Sequence, residues 1–445
     1  MMDSSTHWHG FTPMADHATL EIASAEGCYL HTTDGRTLID GVSNLWCNVH
    51  GHRHPVIDEA IRRQLDRVAH VTTLGMAADT TNRLADLLAK ITPGDLRHTF
   101  FSSDGSSAVE AAIKIALQYW RQTQPSRPSR TRYIALSGAY HGDTAGSVSL
   151  GGIETFHDIF GPLLFEPLRG PLPCTYRLPE GIMLADAAAH YARHIERLLK
   201  EHQDHIAAVV IEPMVQGAVG MVTHPAGFLY RVRKLCEQYD VLMIADEVAV
   251  GFGRTGTLFA CENEHVTPDL MCLGKGLTGG YLPLAATVAR PHVFEAFLGA
   301  ASENRQFFHG HTFGGNPLAA AAAIASIGLF QGMDIGATVH DRAGMLREGL
   351  RSLDRHPHVG NIRGRGLMFG IELVADRDTR RGFQPAHRIG RRVCEAAIER
   401  GVWLRPLGDV VVVMPPLCVE ESEICQIADA VVQSIDAVLP RGSTT

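Results

Sequence analysis

The residue with the most pointed chemistry is Lys275, in Pro268-Asp269-Leu270-Met271-Cys272-Leu273-Gly274-Lys275-Gly276. The apolar run before it reads as a buried strand, and the flanking glycines leave the amine sterically bare at its end. A lysine so placed loses hydration, which lowers its pKa and frees the neutral amine to attack a carbonyl. Most lysines are solvated surface residues, so the position makes the case and not the residue type. The chemistry it predicts is a Schiff base with an aldehyde cofactor.

Three other motifs supply what such a cofactor needs. Asp246 closes the apolar run Val241-Leu242-Met243-Ile244-Ala245. A buried carboxylate is costly unless paired. A protonated pyridine nitrogen is a suitable partner, and protonation makes that ring an electron sink; a turn or helix-cap acid is the plainer alternative. In Ser102-Ser103-Asp104-Gly105-Ser106-Ser107-Ala108-Val109-Glu110, Ser107 and Glu110 have capping-box spacing. Gly105 and Ser106 then offer backbone N–H groups and a hydroxyl at the positive end of a helix, a seat for phosphate. Alone, this motif is equally an ordinary helix cap. In Ser137-Gly138-Ala139-Tyr140-His141-Gly142-Asp143, Tyr140 stands among glycines after a strand, placed to stack on a planar ring or to pack a loop. Gly251-Phe252-Gly253-Arg254-Thr255-Gly256 matches the dinucleotide pattern GxGxxG. The preceding strand ends too early, however, and Asp269 precedes its strand instead of ending it, so a nicotinamide enzyme loses.

Alternating elements must position these residues. Apolar periodicity predicts strands at residues 99–102, 133–136, 207–211, 241–245 and 270–273, and helices at 107–121, 185–201 and 228–239. That alternation implies a mostly parallel α/β sheet covered on both faces, with ligands beyond the carboxyl ends of its strands. Residues 18–40 read as short strands with a turn at Asp34-Gly35, and residues 56–69 as a helix. After an alanine-rich helix from Pro317, a helix from residue 334, strands at 366–373 and 410–414 and a helix at 389–400 suggest a smaller α+β domain. The N-terminal strands could complete it. The expected division is 1–60 joining the small domain, 61–320 large and cofactor-binding, and 321–445 small.

At 445 residues the chain suggests two or three domains or subdomains. The formal charge of -8 and the lack of a basic tract argue against nucleic acid or anionic membranes as partners. There is no secretory-signal pattern and no apolar run of membrane-spanning length. Nine scattered cysteines without a CxxC pair fit reduced thiols, so a cytoplasmic protein is expected. His50, His52 and His54, and His309 with His311, lack metal-site spacing, and no metal is expected.

These segments resemble class III aminotransferases that depend on pyridoxal 5'-phosphate (PLP), over about residues 11–417. Ala245-Asp246-Glu247-Val248 with the Gly251–Gly256 loop is similar to the family's aspartate segment, and Gly274-Lys275-Gly276-Leu277-Thr278-Gly279-Gly280 to its lysine segment. Within the class the resemblance is to the biotin-pathway branch, through Tyr140-His141-Gly142-Asp143-Thr144, Phe308-His309-Gly310-His311-Thr312-Phe313 and Arg405-Pro406-Leu407-Gly408-Asp409. The resemblance implies a PLP-dependent transferase of fold type I, with a seven-stranded type of large sheet. It implies that Lys275 bonds the cofactor and shuttles the proton, that Asp246 binds the ring nitrogen, and that Tyr140 lies over the ring. Gly105 and Ser106 hold the phosphate, and His311 and Thr312 reach into a neighbouring subunit's phosphate site, implying a homodimer with shared active sites. Phe11, Leu45, Trp46, Tyr140 and Gly310 adjoin the small-molecule substrates, while Arg405 takes the keto-acid carboxylate, with Glu212 neutralising Arg405 when no carboxylate is present. The implied acceptor is 7-keto-8-aminopelargonate, and the donor S-adenosylmethionine or lysine. Some members carry tyrosine at Phe11, tryptophan at Leu45, proline at His311 and tyrosine at Val412, differences that bear on the donor. The alternatives are an ω-aminotransferase for β-alanine, diamines or other amines with pyruvate as acceptor, and a PLP-fold protein used only for binding.

Overall fold

The computed structural model describes residues 6–16 and 20–442; residues 18–19 of the expected N-terminal strands, and the extreme ends of the first and last expected segments, lie outside them. Runs of buried apolar residues build the central sheet. Its seven strands stand in the order His98–Ser102, Ala285–Ala289, Leu270–Leu273, Leu242–Asp246, Ile206–Ile211, Arg132–Leu136 and Leu168–Gly170. Every residue of Ile206–Ile211 and of Leu242–Asp246 is buried, as a sheet covered on both faces requires. The strands from Leu270–Leu273 to Leu168–Gly170 pair in parallel. Ala285–Ala289 runs antiparallel to both neighbours. The chain between it and Leu270–Leu273 holds only the short turn Lys275–Thr278 and a loop, with no room for a crossover helix. The expected α/β class with a mostly parallel sheet is the one observed.

Helices cover the sheet. Gly105–Gln122 lies across it, where Trp120 Nε1 donates to the Ala207 carbonyl at 2.8 Å. Pro317–Phe330 is apolar on all sides and packs between Pro55–Leu65, Asp79–Ile91 and the lysine turn, the setting such a helix needs. No single helix among the described residues is long and apolar enough to cross a membrane.

Two smaller sheets flank this body. Ile22–Glu26, Tyr29–Thr32 and Thr37–Asp40 form an antiparallel meander to which the late strand Val402–Trp403 adds in parallel. Val359–Arg365, Met368–Leu373, Val410–Val413 and Arg405–Leu407 form the other. Sequence reading missed Val359–Arg365 and the final helix Glu421–Val438, whose start is closed by a capping box between Glu420 and Glu423.

Candidate active site

The large sheet delivers its unusual residues to one place. Parallel pairing sets Asp246 opposite Cys272, so the strand that ends in Asp246 lies beside the one that runs into Lys275. At the next turn Gly274 backs onto Gly105 and Val248; a Cβ at Gly274 would stand 3.6 Å from the Gly105 Cα and 3.2 Å from Val248 Cγ1. The lysine strand, the aspartate strand and the start of helix Gly105–Gln122 therefore converge. Between them lies a cavity of about 270 Å³ lined by Trp46, Asp104, Gly105, Ser106, Tyr140, His141, Gly142, Glu212, Asp246, Val248, Ala249 and Lys275. That size is at the small end of ligand pockets, which run roughly 300–1,000 Å³.

Lys275 itself has φ of 43°, a left-handed conformation uncommon outside glycine. Its amine lies 4.8 Å from the centre of the Trp46 ring. Enclosure lowers the amine's pKa; Asp246, Cys47 and Glu212 oppose that and Arg254 adds to it. Among the described residues no carboxylate stands within ion-pair distance of the amine. Asp246 is buried and its oxygens are oriented from two sides. Oδ1 accepts the Val248 N–H at 3.0 Å, and Oδ2 lies 2.8 Å from His141 Nδ1.

The phosphate-seat expectation needs one correction. The helix is capped by Asp104, whose Oδ1 accepts the Ser107 N–H at 2.9 Å, and not by a Ser107–Glu110 box. Glu110 instead accepts the Gly146 N–H at 2.6 Å. Asp104 and Ser107 both suit a cap, and Asp104 wins because the helix starts at Gly105. The consequence favours the site: the Gly105 and Ser106 amides are now first-turn donors without intrahelical partners. Ser106 Oγ accepts the Asp143 N–H at 3.0 Å, which leaves its hydrogen free to donate. Gly142, with φ of 116°, passes so close that a Cβ there would stand 1.9 Å from Ser106 Oγ.

Tyr140 reaches the cavity with its hydroxyl donating to Asp143 Oδ2 at 2.6 Å. Burial, and then that bond, raise the phenol's pKa. Glu212 does not meet Arg405 as expected. Its Oε1 accepts the Tyr140 N–H and its Oε2 the Gly217 N–H, both at 3.0 Å. Gly217 in turn lies against the Trp46 ring. Burial holds the Glu212 carboxyl up at about 7. Arg405 sits half-buried on a hairpin strand with no carboxylate within ion-pair distance among the described residues, and burial lowers its pKa against an opposing effect of Tyr140.

Trp46 and Leu45 belong to a strained turn. Ser43, Asn44, Leu45 and Trp46 all have positive φ, at 50°, 58°, 121° and 70°. Ser43 Oγ ties the turn to the Met414 carbonyl at 2.7 Å. The buried Arg254 guanidinium, from the GxGxxG loop, donates to the carbonyls of Pro415 at 2.6 Å and Trp46 at 3.4 Å. The supposed dinucleotide loop is thus a clamp. Leu45 is exposed on this turn, and Phe11 is exposed while its ring packs on Phe156 at 5.2 Å. Gly310, His311 and Thr312 do not line the cavity of their own chain. They lie on a stretch whose Phe308 and Phe313 are 70% and 60% exposed. Sequence reasoning missed the His141 contact, although His141 lies in the motif chosen for Tyr140.

With this geometry in hand, the family follows from one match: residues 11–435 fit the aminotransferase class-III family almost end to end. The chain belongs to the class III aminotransferases. Its α/β architecture is that of the PLP-dependent transferases of fold type I. It is 52% identical over 445 residues to the adenosylmethionine-8-amino-7-oxononanoate aminotransferase of Nitratidesulfovibrio vulgaris, covering 99% of this chain and 82% of that one. The crystal structure of the enzyme of that name from Methanocaldococcus jannaschii has a TM-score of 0.91 and 39% identity, over 97% of each chain. An amine transaminase from an uncultivated Pseudomonas species, solved in PLP-bound form, has a TM-score of 0.93 but 34% identity, over 98% of this aminotransferase and 100% of that chain. Backbone shape therefore does not separate the two substrate classes.

Proposed function

We propose that this aminotransferase converts 7-keto-8-aminopelargonate (8-amino-7-oxononanoate) to 7,8-diaminopelargonate in biotin biosynthesis, with PLP as cofactor. The observation that carries the choice of acceptor is the 52% identity, over essentially the whole chain, to a relative of that name. The residues present fit the cofactor. An amine without a carboxylate partner and two helix-start amides without acceptors, both among the described residues, together with a buried carboxylate that lines the cavity, match an aldehyde, a phosphate and a ring nitrogen. When bound, PLP supplies an aldehyde that takes up amino groups and a protonated ring that withdraws electrons.

The chain's own residues do the rest. Lys275 Nζ would take the proton from the donor's amine-bearing carbon and deliver it to the carbon on the other side of the amine nitrogen, a task its lowered pKa suits. Asp246 would hold the ring nitrogen, and Gly105 and Ser106 would hold the phosphate through N–H groups and a hydroxyl. Tyr140 covers the ring from one side. Arg405, an unpaired and partly desolvated fork, takes the acceptor's carboxylate. Phe11, Leu45 and Trp46 shape the donor's side of the pocket. Donor and acceptor use the site in turn, in a ping-pong sequence.

The same reading makes the protein a cytoplasmic homodimer, in which Gly310, His311 and Thr312 complete the partner's site. Their exposed setting beside Phe308 and Phe313 supports that arrangement. It divides the chain into 1–60, 61–320 and 321–445, supported by the sheet that joins Thr37–Asp40 to Val402–Trp403. The deciding experiment is an acceptor and donor panel. 7-Keto-8-aminopelargonate is expected to outcompete pyruvate as acceptor, with S-adenosylmethionine or lysine as donor. Preference for pyruvate would overturn the substrate assignment and favour an ω-aminotransferase.

A further inference from the structure

We propose that Cys28 and Cys418 are a site of reversible oxidation: a low-molecular-weight disulfide such as oxidised glutathione converts them into a bond that clasps the two ends of the chain together. Their sulfurs lie 3.8 Å apart although the residues are 390 positions apart in the sequence. Cys28 sits in the turn that joins Ile22–Glu26 to Tyr29–Thr32. Gly27, beside it, exchanges both backbone hydrogen bonds with His52, at 3.0 and 2.7 Å. Gly51 leaves room for the second sulfur, since a Cβ there would stand 2.9 Å from Cys418 Sγ. Three distant segments thus meet at the thiol pair. The stretch before Cys418 also holds the strained turn at residues 43–46 from both sides. Met414 N–H donates to the Gly41 carbonyl at 2.7 Å, and Leu417 N–H to the Val49 carbonyl at 2.8 Å.

The two sulfurs have different roles. Cys28 is buried and Cys418 is partly exposed, so Cys418 meets the oxidant first. The Cys28 thiol, donating to Cys418, lowers the Cys418 pKa, against burial and Glu423 and with help from Arg342. The same contact, with burial, raises that of Cys28. The Cys418 thiolate attacks one sulfur of the oxidant; the oxidant's S–S bond breaks and one glutathione leaves as thiolate, taking the electron pair. Cys28 then loses its proton and attacks Cys418 Sγ, which expels the second glutathione. Two protein thiols are oxidised and one disulfide is reduced to two thiols. A sulfur–sulfur bond is about 2.0 Å long, so the pair closes by about 1.8 Å, a shift that rotation of the two side chains supplies. Where free thiols prevail the pair rests open, and it closes as the ratio of disulfide to thiol rises.

The test treats the full-length protein with oxidised glutathione and maps its cysteines by mass spectrometry of peptides prepared without reductant. Cys425, exposed on the final helix, reports that the oxidant was active. The expected product links the Cys28 and Cys418 peptides with the loss of two hydrogens, and dithiothreitol reverses it. The midpoint of thermal unfolding should rise by roughly 2–10 °C at a fixed heating rate, the size expected when a bond closes a long loop in a large chain. Cys28→Ser should trap a glutathionyl group on Cys418. Cys418→Ser should leave Cys28 a free thiol, and neither variant should gain stability on oxidation. Free thiols at both positions while Cys425 is modified would overturn the inference. So would a linked protein whose midpoint does not rise, or a rise that persists in C418S. The mapping and melting of the wild type decide the matter even if a serine variant folds poorly.

Discussion

Replacing Arg405 by methionine should cost function and spare the fold. The guanidinium is partly desolvated on the strand Arg405–Leu407, opposite Val412, with no carboxylate in ion-pair distance among the described residues. In the free protein that is a cost, since desolvation of a charge is not repaid. Methionine keeps an apolar stem of similar length and removes the fork. A charge-assisted hydrogen bond is worth about 1.5–3 kcal/mol, and a two-pronged pair in a half-buried site about 2–4 kcal/mol. The keto-acid kcat/KM should therefore fall roughly 30- to 1,000-fold, at 1.4 kcal/mol per tenfold. The midpoint of thermal unfolding should hold or rise. The assay pairs the acid with its methyl ester, which lacks the carboxylate. Wild type should discriminate against the ester by about the factor that the mutation costs on the acid, roughly 30 to 1,000, and R405M should hardly distinguish the two. If R405M kept the wild-type preference for the acid, the assignment of Arg405 would be refuted.

Other outcomes follow from the same geometry. Lys275→Ala should abolish the visible absorbance of the bound cofactor and reduce turnover by at least about 10⁴-fold, because nucleophile and proton shuttle are lost together; ordinary turnover would sink the site. Gly142→Ala forces a Cβ into Ser106 Oγ at a positive φ, so unfolding by urea should show a loss of about 1–3 kcal/mol and PLP should be held more weakly. Glu212 carries its proton up to about 7 in the folded protein, against 4.5 ordinarily. Its folded pKa is raised, so the stability it contributes is present below about pH 4.5 and is lost as pH rises through about 7. Wild type should thus lose on the order of 3 kcal/mol relative to Glu212→Gln across that window in urea titrations. Parallel curves would contradict it.

Much of the site was legible because buried strands that end in a charged residue are rare. Asp246 and Lys275 each close a wholly apolar run, and parallel pairing then makes them neighbours. Neither the strand Ala285–Ala289 nor its antiparallel course was read from the sequence, since a short alanine-rich run carries little strand signal and only loop length reveals its direction. Capping by Asp104 competed with a second plausible pattern one turn along. The meeting of Glu212 with the Tyr140 amide, and of Arg254 with Pro415, links segments far apart in the chain, and periodicity carries no information about either. Gly310, His311 and Thr312 do not line their own chain's cavity, so only family resemblance pointed to them.

The turn at residues 43–46 has a bearing on adaptability. Four consecutive non-glycine residues held at positive φ store backbone strain of roughly 1–3 kcal/mol each. Glycine at Asn44 or Leu45 would release some of that strain instead of adding to it. Leu45 is exposed and lies next to Trp46, whose ring adjoins Lys275. Under the donor-side role proposed for Leu45 and Trp46, substitutions at this turn can therefore accumulate while the protein keeps its thermal margin, a route along which new substrate preferences can evolve without compensating mutations elsewhere.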